Sequence, residues 1–191
     1  VTWETIAAEL KFSNPYLSVV VERVRTPTRE REWTTVQRKN AVVIAAITAE
    51  SKIVLINQER ISIRAAIWEM PAGQIDDSTD QDGKNAGEVA LRELREETGY
   101  ELAPGGELIA LGDFFSSPGF TDEREFLFAA RPAQLSAAGH AQEESEAIHD
   151  CREFSVAEIN RMIADNTIRD ANTLSTWARL LARKIIALPP T

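Results

Sequence analysis

The run Ala41-Val42-Val43-Ile44-Ala45-Ala46-Ile47 has no polar break. It predicts a strand buried on both faces, since a half-exposed strand would alternate. Lys52 to Gln58 follows after a short turn and is expected to pair with it. Upstream, Tyr16 to Arg25 and Trp33 to Arg38 are β-branched and partly alternating, interrupted at Thr26-Pro27-Thr28. Residues 16–38 therefore read as a hairpin, preceded by a mixed stretch that can form a short lead-in strand. A hairpin alone is marginally stable, so it needs a covering surface from the main domain or from a partner chain. Ile67 to Met70, Leu108 to Phe114, Glu125 to Ala130 and Ile148 to Phe154 are further strand candidates.

The period changes to that of a helix after Gly83. Ala86, Gly87, Ala90, Leu91 and Leu94 fall on one side of a wheel. Asn85 with Glu88 can cap its start, and Gly99 offers a stop. Ser155 with Glu158 predicts a capped helix over 156–164. Leu174, Trp177, Leu180, Leu181 and Ile185 form a last apolar stripe, read as core packing and ending before Pro189. Central strands with flanking helices make this an α/β (α+β) chain, divided into an N-terminal β region at 1–38 and a main domain at 39–191.

Charge narrows the function classes. The 191 residues carry a formal net charge of −9, which argues against a nucleic-acid or membrane-surface binder. No apolar run approaches the roughly 20 residues of a membrane span, and no signal-peptide pattern opens the chain, so a soluble cytoplasmic protein is expected. The single cysteine, Cys151, excludes an intramolecular disulfide and reads as a small buried apolar residue. His140 and His149 read as ordinary loop and strand residues.

The chemistry concentrates on the helix, in Arg92-Glu93-Leu94-Arg95-Glu96-Glu97-Thr98-Gly99-Tyr100. Glu93 and Glu97 lie one turn apart at the border of the apolar side, which predicts half-burial. Two such carboxylates about 5 Å apart at an effective dielectric near 20 repel by roughly 3 kcal/mol. Arg92 can offset part of that, and a hard cation such as Mg²⁺ is the other source of compensation.

These nine residues resemble the second half of the Nudix box, G-x5-E-x7-R-E-U-x-E-E-x-G-U. Gly73 looks like its opening glycine, preceded by Glu69-Met70-Pro71-Ala72 as in the ADP-ribose pyrophosphatase type, and Ser117 to Glu123 resembles a segment of the same branch. The loop before the helix departs from the pattern by a five-residue insertion, which puts Lys84 where the first box glutamate belongs; Asp76, Asp77, Asp80 and Asp82 read as solvated loop residues.

The resemblance implies an α/β/α sandwich with a mixed central sheet plus the small N-terminal β-hairpin domain. It implies Mg²⁺ (or Mn²⁺) held by Glu93, Glu96, Glu97 and the Ala72 carbonyl, with Arg92 orienting Glu96. Glu146 is the choice for an added metal ligand or general base, with Glu143 and Glu144 as competitors. Arg60, Glu69, Trp33 and Arg38 are expected at the substrate, the last two near the base, in a homodimer whose N-terminal strands reach the partner's site. The implied reaction is hydrolysis of ADP-ribose to AMP and ribose 5-phosphate. The alternatives are another Nudix substrate, such as GDP-mannose, a dinucleoside polyphosphate or a nucleoside triphosphate, or a nucleotide sensor without turnover.

Overall fold

The computed structural model describes residues 3–75, 83–137 and 147–189. It opens with β1 (Glu4–Ser13), β2 (Leu17–Arg25) and β3 (Glu30–Arg38), an antiparallel sheet in the order β1-β2-β3. The expected hairpin is thus β2–β3, closed by the Thr26 N–H to the Arg29 carbonyl, and residues 4–13 add a full third strand. Only Val24 in this sheet is buried, whereas Leu10 and Phe12 are more than half exposed.

Every residue of β4 (Ala41–Thr48) is buried, as the unbroken apolar run requires. Val43, Ala45 and Ile47 face one core; Val42, Ile44 and Ala46 face a second core on the opposite side. β5 (Ile53–Arg60) meets β4 only at Ile53–Ile47 and pairs along its length with β6 (Ala65–Glu69). The other half of β4, Ala41 to Val43, pairs with the short β7 (Ala72–Gln74). The sheet therefore forks between β5 and β7, and Met70-Pro71 crosses the fork with the Pro71 carbonyl accepting from Ile44 N–H at 2.9 Å.

Helix α1 (Ala86–Thr98) covers the second core with Ala86, Ala90 and Leu94, which are fully buried. Gly99 ends it in the left-handed conformation at φ 72°. Asn85 stands at the N-cap position, but its side chain makes no capping bond, because its backbone is not in the extended conformation that aims a cap. β8 (Tyr100–Phe115) is longer than the sequence pattern shows and bends at a bulge near Gly112. β9 (Arg124–Leu135) lies parallel to β4, and β10 (Ile148–Phe154) pairs with β5, giving the order β10-β5-β4-β9-β8.

Helices α2 (Val156–Ala164) and α3 (Ala171–Ala182) cover the first core through Ile159, Trp177 and Leu180. The Ser155–Glu158 capping box is present. Arg179 of α3 donates to the Leu111 and Asp113 carbonyls of β8 at 3.1 and 2.9 Å, and Arg183 donates to the Ala110 carbonyl. Helices on both faces of a mixed sheet are the architecture expected from the sequence. No helix among the described residues is long and apolar enough to cross a membrane.

Candidate active site

The α1 acids meet β7 at the fork. Glu97 is 1% exposed and its Oε2 accepts the Ala72 N–H at 2.9 Å. Glu93, 7% exposed, lies against Gly73 so closely that a Cβ there would stand 2.5 Å from both Cγ and Oε2. Both acids are thus more deeply buried than the half-burial expected from their position at the edge of the helical stripe. The cause is β7, which closes over that edge. Glu96 is partly exposed. Arg92 pairs with Glu93, Nη2 to Oε1 at 2.7 Å, and also reaches Glu96 at 3.5 Å, so of these two acids Glu93 is the nearer.

Two nearly buried carboxylates, a third at the rim and a glycine that leaves room for one of them are hard-oxygen chemistry suited to a divalent cation. Among the described residues no three acidic, histidine or cysteine side chains converge tightly enough to hold an ion by themselves. Backbone oxygens such as the Ala72 carbonyl, water and phosphate would fill the remaining positions. Glu143, Glu144 and Glu146, like Asp76, Asp77, Asp80, Asp82 and His140, lie outside the described residues.

Arg60 and Glu69 lie on one face of the β5–β6 pair. Arg60 Nη2 stands 2.6 Å from Glu69 Oε1, an ion pair without hydrogen-bond alignment. Burial pushes the Glu69 carboxyl up to about 7 against the pull of Arg60. Gln58, two residues before Arg60 and on the same face, is buried with its Oε1 lacking a hydrogen-bond partner. Sequence reasoning passed over Gln58 because a polar residue near a strand end reads as solvated; the alternation from Ile56 was the available signal.

Trp33 packs edge-on against Trp3 at 5.5 Å and is partly buried. Arg38 ends β3 and pairs with Glu123, Nη1 to Oε1 at 2.8 Å, while its backbone N–H donates to Asp122 Oδ1 at 3.0 Å. A cavity of about 500 Å³ opens where the N-terminal sheet meets the main domain, lined by Tyr16, Arg38, Lys39, Ile75, Phe115 and Arg124 among others. It brings cationic and aromatic surface together a few residues along the chain from β7.

Residues 37–176 match the NUDIX domain family. The chain belongs to the Nudix family. Its helix α1 is the Nudix helix, and the fold and the recognised motif agree with that membership. A methanol dehydrogenase activator from Bacillus methanolicus is 34% identical over 90% of this chain and 88% of its own length. An ADP-ribose pyrophosphatase from Bacillus subtilis is 30% identical over 89% of this chain and 88% of its own. A crystal structure of an ADP compounds hydrolase superposes with a TM-score of 0.79 at 17% identity, covering 97% of this chain and 94% of that one, a likeness of fold. The Nudix hydrolases generally use a divalent metal, in keeping with the carboxylates gathered on α1.

Proposed function

We propose that this Nudix hydrolase cleaves the pyrophosphate of ADP-ribose, giving AMP and ribose 5-phosphate, with Mg²⁺ as its cation. The observation that carries the reading is the pairing of α1 with β7, where Glu97 is fixed by the Ala72 N–H and Glu93 fills the space above Gly73. Glu93, Glu96, Glu97 and the Ala72 carbonyl would hold the cation, with Glu146 as a further ligand or the general base. A bound cation supplies charge neutralisation at the pyrophosphate and a more acidic water. The side chains do the rest: Arg60, poised by Glu69, meets a phosphate, Arg92, paired with both Glu93 and Glu96, orients them, and Glu146 accepts the proton of the attacking water.

The preference for ADP-ribose is supported by the B. subtilis ADP-ribose pyrophosphatase at 30% identity and by another from Mycobacterium tuberculosis, 31% identical over 67% of this chain and 59% of its own length. The cavity beside Arg38 has the aromatic and cationic lining a nucleoside end needs. A homodimer is supported by the exposed Trp3, Leu10 and Phe12 on the N-terminal sheet, and sedimentation at micromolar concentration should give twice the mass of the chain. The B. methanolicus relative favours a second reading, activation of a dehydrogenase. The deciding experiment presents ADP-ribose, GDP-mannose, a dinucleoside polyphosphate and nucleoside triphosphates, with Mg²⁺, to the wild type and to Glu97→Gln. Hydrolysis of ADP-ribose that disappears in the variant supports the proposal. Turnover of another substrate with ADP-ribose untouched, or binding without turnover, removes it.

A further inference from the structure

Behind the Arg38–Glu123 pair lies a second carboxylate that the chemistry above does not use. Glu125 of β9 is 3% exposed, and its Oε2 has no hydrogen-bond partner. β9 runs parallel to β4 with Glu125 beside Ala41, and antiparallel to β8 with Glu125 beside Phe114, so two of its neighbours are apolar. The charged groups acting on it are Glu123 just before its own strand, Arg38 from β3 and Asp170 at the N-cap of α3, with the Asn172 side chain beside it. Glu123 is better provided. Its Oε1 holds Arg38 at 2.8 Å and its Oε2 accepts from Ser116 Oγ at 2.8 Å.

The same segment holds the backbone of β3, through the Val36 N–H to the Phe120 carbonyl at 2.7 Å and the Arg38 N–H to Asp122. Arg38 therefore has a fixed root at the cavity lining and a guanidinium within the influence of two buried acids, Glu123 in contact with it at 2.8 Å and Glu125 beyond. We propose that Glu123 and Glu125 are positioning residues for Arg38: Glu123 holds the guanidinium toward the cavity, and Glu125, when it carries a charge, draws it inward. Burial first and the neighbouring Glu123 second push Glu125 up to about 7, so this competition falls within the working range of pH. An arginine drawn inward presents less positive charge to an anionic substrate. The inference rests on the reading of Arg38 as a substrate contact.

The test is kcat and KM for ADP-ribose from pH 5.5 to 8.5 in the wild type, Glu123→Gln, Glu125→Gln and Arg38→Ala. Glu125→Leu serves as a second, apolar replacement, and thermal melts check folding. Loss of one charge-assisted contact corresponds to about a tenfold change. The wild-type KM should rise by up to that factor as the pH passes 7, with the rise reduced in Glu125→Gln and Glu125→Leu and KM raised throughout in Glu123→Gln. Arg38→Ala should have a high KM at every pH and cancel the effect of either acid in the double variants. An Arg38→Ala enzyme with wild-type KM overturns the substrate reading of Arg38, and the proposal with it. A raised KM in Arg38→Ala, with the wild-type pH dependence kept in both Glu125 variants, leaves that reading standing and overturns the positioning role alone.

Discussion

Substituting Gly73 by alanine should disable the site without unfolding the protein. The backbone of Gly73 is outside the left-handed region, so alanine meets no conformational penalty there, and the whole effect comes from contact. The added Cβ would overlap Glu93 Cδ and stand 2.5 Å from Cγ and Oε2, and ordinary contact begins near 3.4 Å, so one side must yield by more than about 0.9 Å. β7 is tied to the fully buried β4 through the Gly73–Val42 pair. Glu93 is 7% exposed and held by Arg92.

Overpacking of this kind costs roughly 1–3 kcal/mol, and a catalytic group displaced by about 1 Å loses on the order of 100-fold in rate. Expected are a lowered urea midpoint, kcat reduced by roughly that factor at saturating Mg²⁺, and weaker Mn²⁺ binding by electron paramagnetic resonance. Gly87→Ala is the control. On α1 its Cβ would meet Leu108 Cδ2 at 3.2 Å, away from the acids, and it should keep the wild-type rate. Wild-type kcat and Mn²⁺ affinity in Gly73→Ala would refute the placement of Glu93 at the cation.

Dialysis against EDTA should abolish hydrolysis and either Mg²⁺ or Mn²⁺ should restore it; a rate that survives chelation removes the cation from the reaction. Glu69 and Glu125 are both raised to about 7 in the folded chain, so the stability they contribute is complete below about pH 4.5 and is lost as the pH rises through 7. Each accounts for at most about 3 kcal/mol at 1.36 kcal/mol per unit. Urea midpoints between pH 5 and 8 should therefore fall less steeply in Glu125→Gln than in the wild type, and parallel curves would contradict this. Ser155→Ala removes the side-chain cap on the Glu158 N–H, leaves the backbone bond to Glu158 Oε2, and should lower stability by about 1 kcal/mol in the same assay, with kcat unchanged.

The parts of the fold legible in the sequence are those whose cause is local. An unbroken apolar run specifies a strand with helices on both sides, and β4 is that strand. Gly99 stops α1 and Ser155 starts α2, since each acts within a few residues of itself. The family pattern supplied the acids of α1, but their depth of burial depends on β7, whose three residues carry no periodicity. β1 was expected only as a short lead-in strand, because its residues are almost all exposed and leave no alternation to mark its full length. Arg38 and Glu123 are far apart in the chain, and their pairing depends on how β3 docks on the segment before β9. Glu125 lies in a stretch of mixed charge, Arg124-Glu125-Phe126, and only the parallel pairing with β4 makes it an interior residue.

The arginines of α3 bear on what the protein can join. β8 is the last strand of the main sheet, and such a border is where foreign strands add and aggregation begins. Arg179 and Arg183 occupy three of its carbonyls around the Gly112 bulge, where a Cβ would come within 2.7 Å of Arg179 Nη1. An incoming strand finds those acceptors already taken. Loss of these two guanidinium groups would free the acceptors for a foreign strand, and should appear first as turbidity on storage, before any change in rate.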